Sequence, residues 1–162
     1  MKKSIIILAI IIGILSLQEE KIIIPKDTIR FRIIANSNQT EDQMLKKTIV
    51  KSLSNELTRE ENNLEEARNN IIESIPKIEE QINKNTKNYT ISYGSNYFPK
   101  KEWKGVIFPE GEYESLVITI GEGEGDNFWC ILFPPLCMID EEQEEYPSLI
   151  KEVINKYLLH KI

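Results

Sequence analysis

Histidine occurs once in these 162 residues, as His160, and cysteine only twice, as Cys130 and Cys137. A nucleophile–histidine–acid triad needs its imidazole held rigidly beside the other two groups. His160 is the third residue from the end of the sequence, a position expected to hold an imidazole poorly. A zinc site needs about four nitrogen or sulfur ligands, more than this chain supplies. Aromatic residues make up only 8%, and no lysine and arginine stripe interleaves with them. With a net charge of −6, the chain lacks the basic face that a nucleic-acid partner demands. Seven glycines and seven prolines are too few for a low-complexity or collagenous chain, so a single ordinary globular domain is expected.

No apolar run reaches the roughly 20 residues of a full membrane span. The longest is Ser4–Leu17, 14 residues, preceded by Lys2 and Lys3 and followed by charged Glu19, Glu20 and Lys21. A positive start, a short apolar segment and a polar exit are the layout of a secretory signal. Residues 1–17 are therefore read as a signal peptide or an uncleaved N-terminal membrane anchor, and residues 18–27 as a linker. No clear small-x-small cleavage site follows, and Ser16 is only a fair candidate. Loss of Lys2 and Lys3 with the signal would take the net charge from −6 to −8, leaving an acidic exported domain.

From Thr28 the pattern alternates. Ile29, Phe31 and Ile33 share one face of a strand and Arg30 and Arg32 the other. Asn36-Ser37-Asn38 breaks it, since short polar side chains favour turns. Thr40 to Gln43 fits a capping box that starts a helix with Leu45, Ile49, Leu53 and Leu57 on one stripe. Thr58 to Glu61 repeats that box before a second helix lined by Leu64, Ala67, Ile71, Ile75, Ile78 and Ile82, with Pro76 expected to kink it. A strand follows from Tyr89 to Gly94, then a polar loop, then short strands at Val106–Phe108, Glu112–Ile120 and Phe128–Phe133. Pro134-Pro135 stops the last one. Residues 139–162 read as an acidic linker and a terminal helix beginning at Pro147. The order β-α-α-β-β-β-α predicts an α+β fold: a mixed β-sheet with two long helices packed on one face, a single domain plus a C-terminal helix.

Chemistry is harder to find. Two carboxylates can perform glycosidase chemistry, and a cell-envelope hydrolase is one alternative, but 26 acidic residues offer no unique pair. The Gly121–Asn127 loop has the glycines of a phosphate cradle. Glu122, Glu124 and Asp126 would repel phosphate, however, and a strand follows instead of a helix. An exported module binding calcium or a small ligand is the other alternative, although the EF-hand spacing is missing. No cofactor is implied. Cys130 and Cys137 invite a disulfide in an exported chain, worth about 2.5 kcal/mol by loop entropy. Two buried free thiols are the other reading.

Two stretches are more specific than their physics requires: Ile29–Lys47, IRFRIIANSNQTEDQMLKK, and Phe108–Cys137, FPEGEYESLVITIGEGEGDNFWCILFPPLC. They resemble the two signature segments of the stage II sporulation protein R family, in order and spacing, over about residues 28–138. Departures are Asn38 where the family usually has an acid, Glu124 where a basic or small residue is common, and Phe98–Trp103 before the hairpin. The resemblance implies a signalling protein and not an enzyme. Such a protein is exported across the forespore membrane into the septal intermembrane space. Its partner there is a membrane-bound aspartic protease of the mother cell that processes pro-sigma-E. The candidate contact residues are Asn36, Ser37 and Asp42 of the turn, and Glu122, Gly123, Glu124, Gly125, Asp126 and Asn127 of the loop, because loops on a rigid scaffold commonly carry recognition.

Overall fold

The computed structural model describes residues 21–137 and 146–159. The apolar N-terminal segment, the acidic linker from Glu141 to Glu145 and His160 lie outside the described residues. In chain order the elements are β1 (Ile22–Ile23), β2 (Ile29–Ile34), α1 (Thr40–Ser52), α2 (Ser54–Leu57), α3 (Leu64–Asn83) and β3 (Tyr89–Phe98). Then come β4 (Lys101–Trp103), β5 (Val106–Phe108), β6 (Gly111–Ile120), β7 (Asn127–Phe133) and α4 (Tyr146–Ile154), which runs into a π-helical turn at Asn155–Leu159.

The expected α+β architecture is present. The main sheet is mixed, in the order β3-β6-β2-β7, with β2 parallel to β6 and the other two pairs antiparallel. Period-two alternation sorts its residues onto two faces. Ile29, Phe31, Ile33, Leu116, Ile118 and Ile120 face the helices and pack against Ile49, Leu53 and Leu57 on one side and Ala67, Ile71, Ile78 and Ile82 on the other. Each such aliphatic or aromatic side chain contributes about 1.5–3 kcal/mol on burial, so this layer supplies most of the core.

Both capping expectations are corrected. Thr40 is the first residue of α1, whose cap is Gln39 with no side-chain cap bond. Gln43 instead donates to the Ser37 carbonyl at 2.8 Å and to Asn38 Oδ1 at 3.2 Å. Thr58 donates its hydroxyl backward to the Ser54 carbonyl, closing α2. The box forms five residues later: Asn63 Oδ1 accepts from the Glu66 amide and Glu66 reaches back to the Asn62 amide, each at 2.9 Å. Pro76 does not interrupt α3. It lies on the exposed side, where the Ile72 carbonyl that loses its donor can face water.

The polar loop expected after Gly94 is also corrected. β3 continues to Phe98 and pairs with β6 along its whole length, from Tyr89 opposite Ile120 to Phe98 opposite Gly111. Beyond it, β4 and β5 form a hairpin closed by Lys104 and Gly105, both at positive φ. Inside the segment expected as a linker, Ile22–Ile23 pairs with β5, and Ile24 is buried. This small sheet covers the second face of the main sheet together with α4. Ile24, Val106, Phe108, Ile131, Leu136, Ile150 and Ile154 form its core. A Cys130–Cys137 disulfide, as expected, ties the middle of β7 to the turn that follows the strand.

On this second face Arg30 is fully buried. Its guanidinium carbon lies 3.3 Å from the Tyr113 ring centre, with Phe98 and Trp129 at 5.3 and 5.9 Å. Nη2 donates to the Pro109 carbonyl at 3.3 Å, while Nε and Nη1 have no hydrogen-bond partner among the described residues. Burial lowers its pKa to about 10, against a smaller opposing effect of Tyr113, so the group remains a cation at neutral pH. Desolvating an ion costs several kcal/mol, whereas a desolvated cation–π contact returns about 2 kcal/mol. Arg30→Met keeps the volume and removes the uncompensated charge. It is expected to raise the unfolding free energy by about 1 kcal/mol in urea titrations. A loss of more than about 2 kcal/mol would show that the aromatic cage depends on the cation.

Candidate partner-binding surface

Strand directions place the two candidate loops side by side. β2 runs parallel to β6 and antiparallel to β7, so the ends of β2 and β6 and the start of β7 share one end of the sheet. The turn leaving β2 and the loop joining β6 to β7 therefore meet there, although more than eighty residues separate them in sequence.

What joins them is a set of backbone amides satisfied by side chains and carbonyls. Asn36 Oδ1 accepts from the Glu122 amide at 3.0 Å, and Asn38 Oδ1 accepts from the Asp126 amide at 2.6 Å. The amides of Glu124 and Gly125 donate to the carbonyls of Asn36 and Ala35 at 3.0 and 2.9 Å. The buried Lys46 ammonium then donates to the Asp126 carbonyl and to Gln43 Oε1, both at 2.6 Å, fastening α1 to the same loop. Each of these donors would otherwise need water or cost about 1–3 kcal/mol if buried bare.

Two glycines make the approach close enough. A Cβ on Gly121, which has a φ of 55°, would lie 2.1 Å from Asn36 Oδ1. One on Gly125 would lie 2.3 Å from the Ser37 carbonyl oxygen, a backbone atom that has no room to yield. Glycine is required here by contact and, at Gly121, by backbone conformation as well.

The nine candidate residues thus lie at one end of the sheet but do different things. Asn36, Ser37 and Asp42 turn inward: Asp42 Oδ2 accepts from Ser37 Oγ at 2.6 Å and Asn36 Nδ2 at 2.9 Å. Gly123 and Gly125 give the loop its shape. Glu122, Glu124 and Asp126 are exposed, and Asn127 opens β7. Asn38, Gln43 and Lys46 hold the clamp and were absent from the candidates. Asn38 stands where the resemblance leads one to expect an acid, and its carbonyl oxygen can accept as an acid's oxygen would. Nothing in the sequence marks a lysine for burial, so Lys46 carries no legible signal.

Among the described residues, the carboxylates whose titration is clearly displaced are Asp42, Glu66, Glu102 and Glu114, and all four are held below the ordinary range. For Glu114 the main cause is the Arg68 guanidinium, which grips both its oxygens at 2.8 and 2.9 Å, with the Tyr93 hydroxyl at 2.6 Å. A general acid needs the opposite displacement. Among the described residues no three or more His, Cys, Asp or Glu side chains group as a metal site.

The Asp42 hydrogen bonds have a consequence for acid stability. Its pKa is lowered first by Ser37 and then by Asn36, so its contribution is present above its unfolded value and fades as pH falls through the folded one. Asp42→Asn is expected to flatten this part of the acid limb when stability is measured by denaturant from about pH 6 to about pH 2. An acid limb identical to that of the parent chain would remove Asp42 from it.

Over residues 25–143 the chain matches the family described as Stage II sporulation protein R. It is 36% identical over 151 residues to Stage II sporulation protein R of Bacillus subtilis (strain 168), covering 83% of this chain and 67% of that protein. No solved structure matches it. The clamp joins the two segments, Ile29–Lys47 and Phe108–Cys137, in which the resemblance is concentrated. The chain belongs to the stage II sporulation protein R family, and its role is in sporulation.

Proposed function

We propose that this protein is an exported signal that acts by contact and not by catalysis. Its N-terminal segment carries it across the forespore membrane into the septal intermembrane space. There it activates the membrane-bound aspartic protease that processes pro-sigma-E. Among the described residues no helix is long and apolar enough to cross a membrane, so any membrane anchoring falls to residues 1–17, if these are retained.

The observation that carries the contact reading is the clamp. A loop that only turns a chain needs no such fixing, whereas a recognition loop gains from it, because the ordering entropy is already spent before the partner arrives. The clamp bonds the loop backbone and leaves Glu122, Glu124 and Asp126 exposed. Exposed charges at an interface steer encounter and set specificity more than they add raw affinity.

Changing Glu122, Glu124 and Asp126 together to Ser leaves every backbone bond of the clamp available. Melting is expected to drop only slightly, since Asp126 alone of the three favours the buried Lys46 ammonium, and pro-sigma-E processing in trans is expected to fall by about tenfold or more, in line with the loss of a few interfacial charge pairs. Full processing by the folded triple variant would contradict the role of the acidic loop while leaving the signalling role standing.

A further inference from the structure

Among the described residues β7 is an outer strand of the main sheet, paired on one side only, with β2. An antiparallel strand turns alternate N–H and C=O groups away from its partner, so an outer strand keeps a row of unpaired groups on its free edge. Near its far end the C-terminal helix packs close by: Ile150 and Ile154 cluster with Ile131, and Tyr157 meets Phe133 edge-on at 5.8 Å. Toward Asn127 no strand of the described residues pairs with that edge.

Lysine side chains flank the free part, with Asp126 just before its first residue. On the helix side, a groove of about 370 Å3 runs between β7 and α1, with Val50 and Phe128 as its apolar wall and Lys46, Lys47 and Lys51 around it. Lys46 spends its hydrogen bonds on neutral oxygens, and the neighbouring charges are Asp126, which favours its ammonium, and Lys47, which opposes it. Lys47 and Lys51 are exposed, and neither has a carboxylate within ion-pair distance among the described residues. On the other face of the strand, the Lys101 ammonium lies 4.7 Å from the Trp129 ring centre, beside Trp103 and a slot of only about 20 Å3.

We infer that the Asn127–Cys130 edge receives an extended acidic segment of a partner protein as an added strand. Backbone pairing to the free edge supplies affinity, and alternate side chains fall to either face. Those on the α1 side have room for an aliphatic or glutamate side chain beside three ammonium groups. Those on the Trp129 side lie over a narrow slot lined by Trp129, Trp103 and Lys101. A protein of net charge −6 that gathers lysines around an unpaired strand is complementary to acid at that place. A merely anionic surface would leave the strand edge unpaired, which favours a peptide. The inference rests on this edge and not on the protease reading.

The only two tryptophans of the chain, Trp103 and Trp129, both line the slot, so intrinsic fluorescence reports locally. The full chain would be titrated with a capped octapeptide of alternating glutamate and valine. A saturable change is expected. The lysine–valine counterpart, and a version N-methylated at alternate amides, are each expected to bind at least about tenfold more weakly. Lys47→Glu with Lys51→Glu, both exposed on α1, is expected to weaken the glutamate–valine peptide by about tenfold with unchanged melting. If that variant melts lower, Lys47→Gln with Lys51→Gln provides the same comparison. No saturable change up to about 1 mM would overturn the inference. So would undiminished binding by the lysine variants. Equal binding of the N-methylated peptide would also overturn it, since that describes a charged surface of the kind a lipid headgroup could meet.

Discussion

Satisfying backbone amides at one end of the sheet is the constraint on which the rest of this structure depends. The loop from Gly121 to Asp126 cannot use a regular ladder, because it leaves β6 and must turn to enter β7 on the far side of β2. Its amides at Glu122, Glu124, Gly125 and Asp126 are taken up by the Asn36–Asn38 turn and by the Ala35 carbonyl. That requirement fixes the glycines, whose missing side chains leave space for Asn36 and Ser37. It also fixes the buried Lys46, which transmits the position of the loop to α1. Sheet register, loop shape and helix placement are thus settled together, and the three outward carboxylates inherit a fixed spacing from bonds made behind them.

At the opposite end, stability comes from different physics. The second face of the sheet carries Arg30 and Arg32 in the positions that the opposite face gives to Ile and Phe, and it covers them with rings instead of acids. Tyr113, Phe98 and Trp129 surround the Arg30 guanidinium, and the small sheet and the C-terminal helix seal the region. The disulfide holds β7 to its following turn, where Ile131 accepts backbone bonds from Leu136 and Cys137. The result is a scaffold with a helix-covered apolar layer on one face and an aromatic, cation-bearing layer on the other.

Much of this was legible in the chain. The alternation of Ile29, Phe31 and Ile33, and the four-residue stripe from Leu45 to Leu57, set the helix-facing core, and the α+β class followed from the order of periods. The two loops stood out by composition, and so did the cysteine pair. What was not legible was non-local. Gly94 looks like a strand end, yet ten cross-strand pairs with β6 carry β3 through it to Phe98. Strands of two or three residues such as β1, β4 and β5 are too short to show a period and exist because each finds a partner. Thr58 has the type of a helix cap, and tertiary context gave that role to Asn63. At the site, sequence picked out the residues of both loops but could not tell inward from outward side chains, because that depends on a contact across more than eighty residues.

The central claim is that the acidic loop is rigid because its amides are bonded, and amide hydrogen exchange measures this most directly. The amides of Glu122, Glu124, Gly125 and Asp126 lie in a surface loop, and loops of that kind ordinarily exchange almost as fast as an unfolded peptide. If the clamp exists in solution, all four should exchange at least about a hundredfold more slowly than that reference, in the free protein and without a partner. Exchange at the unstructured rate, with the strands on either side still protected, would contradict the account.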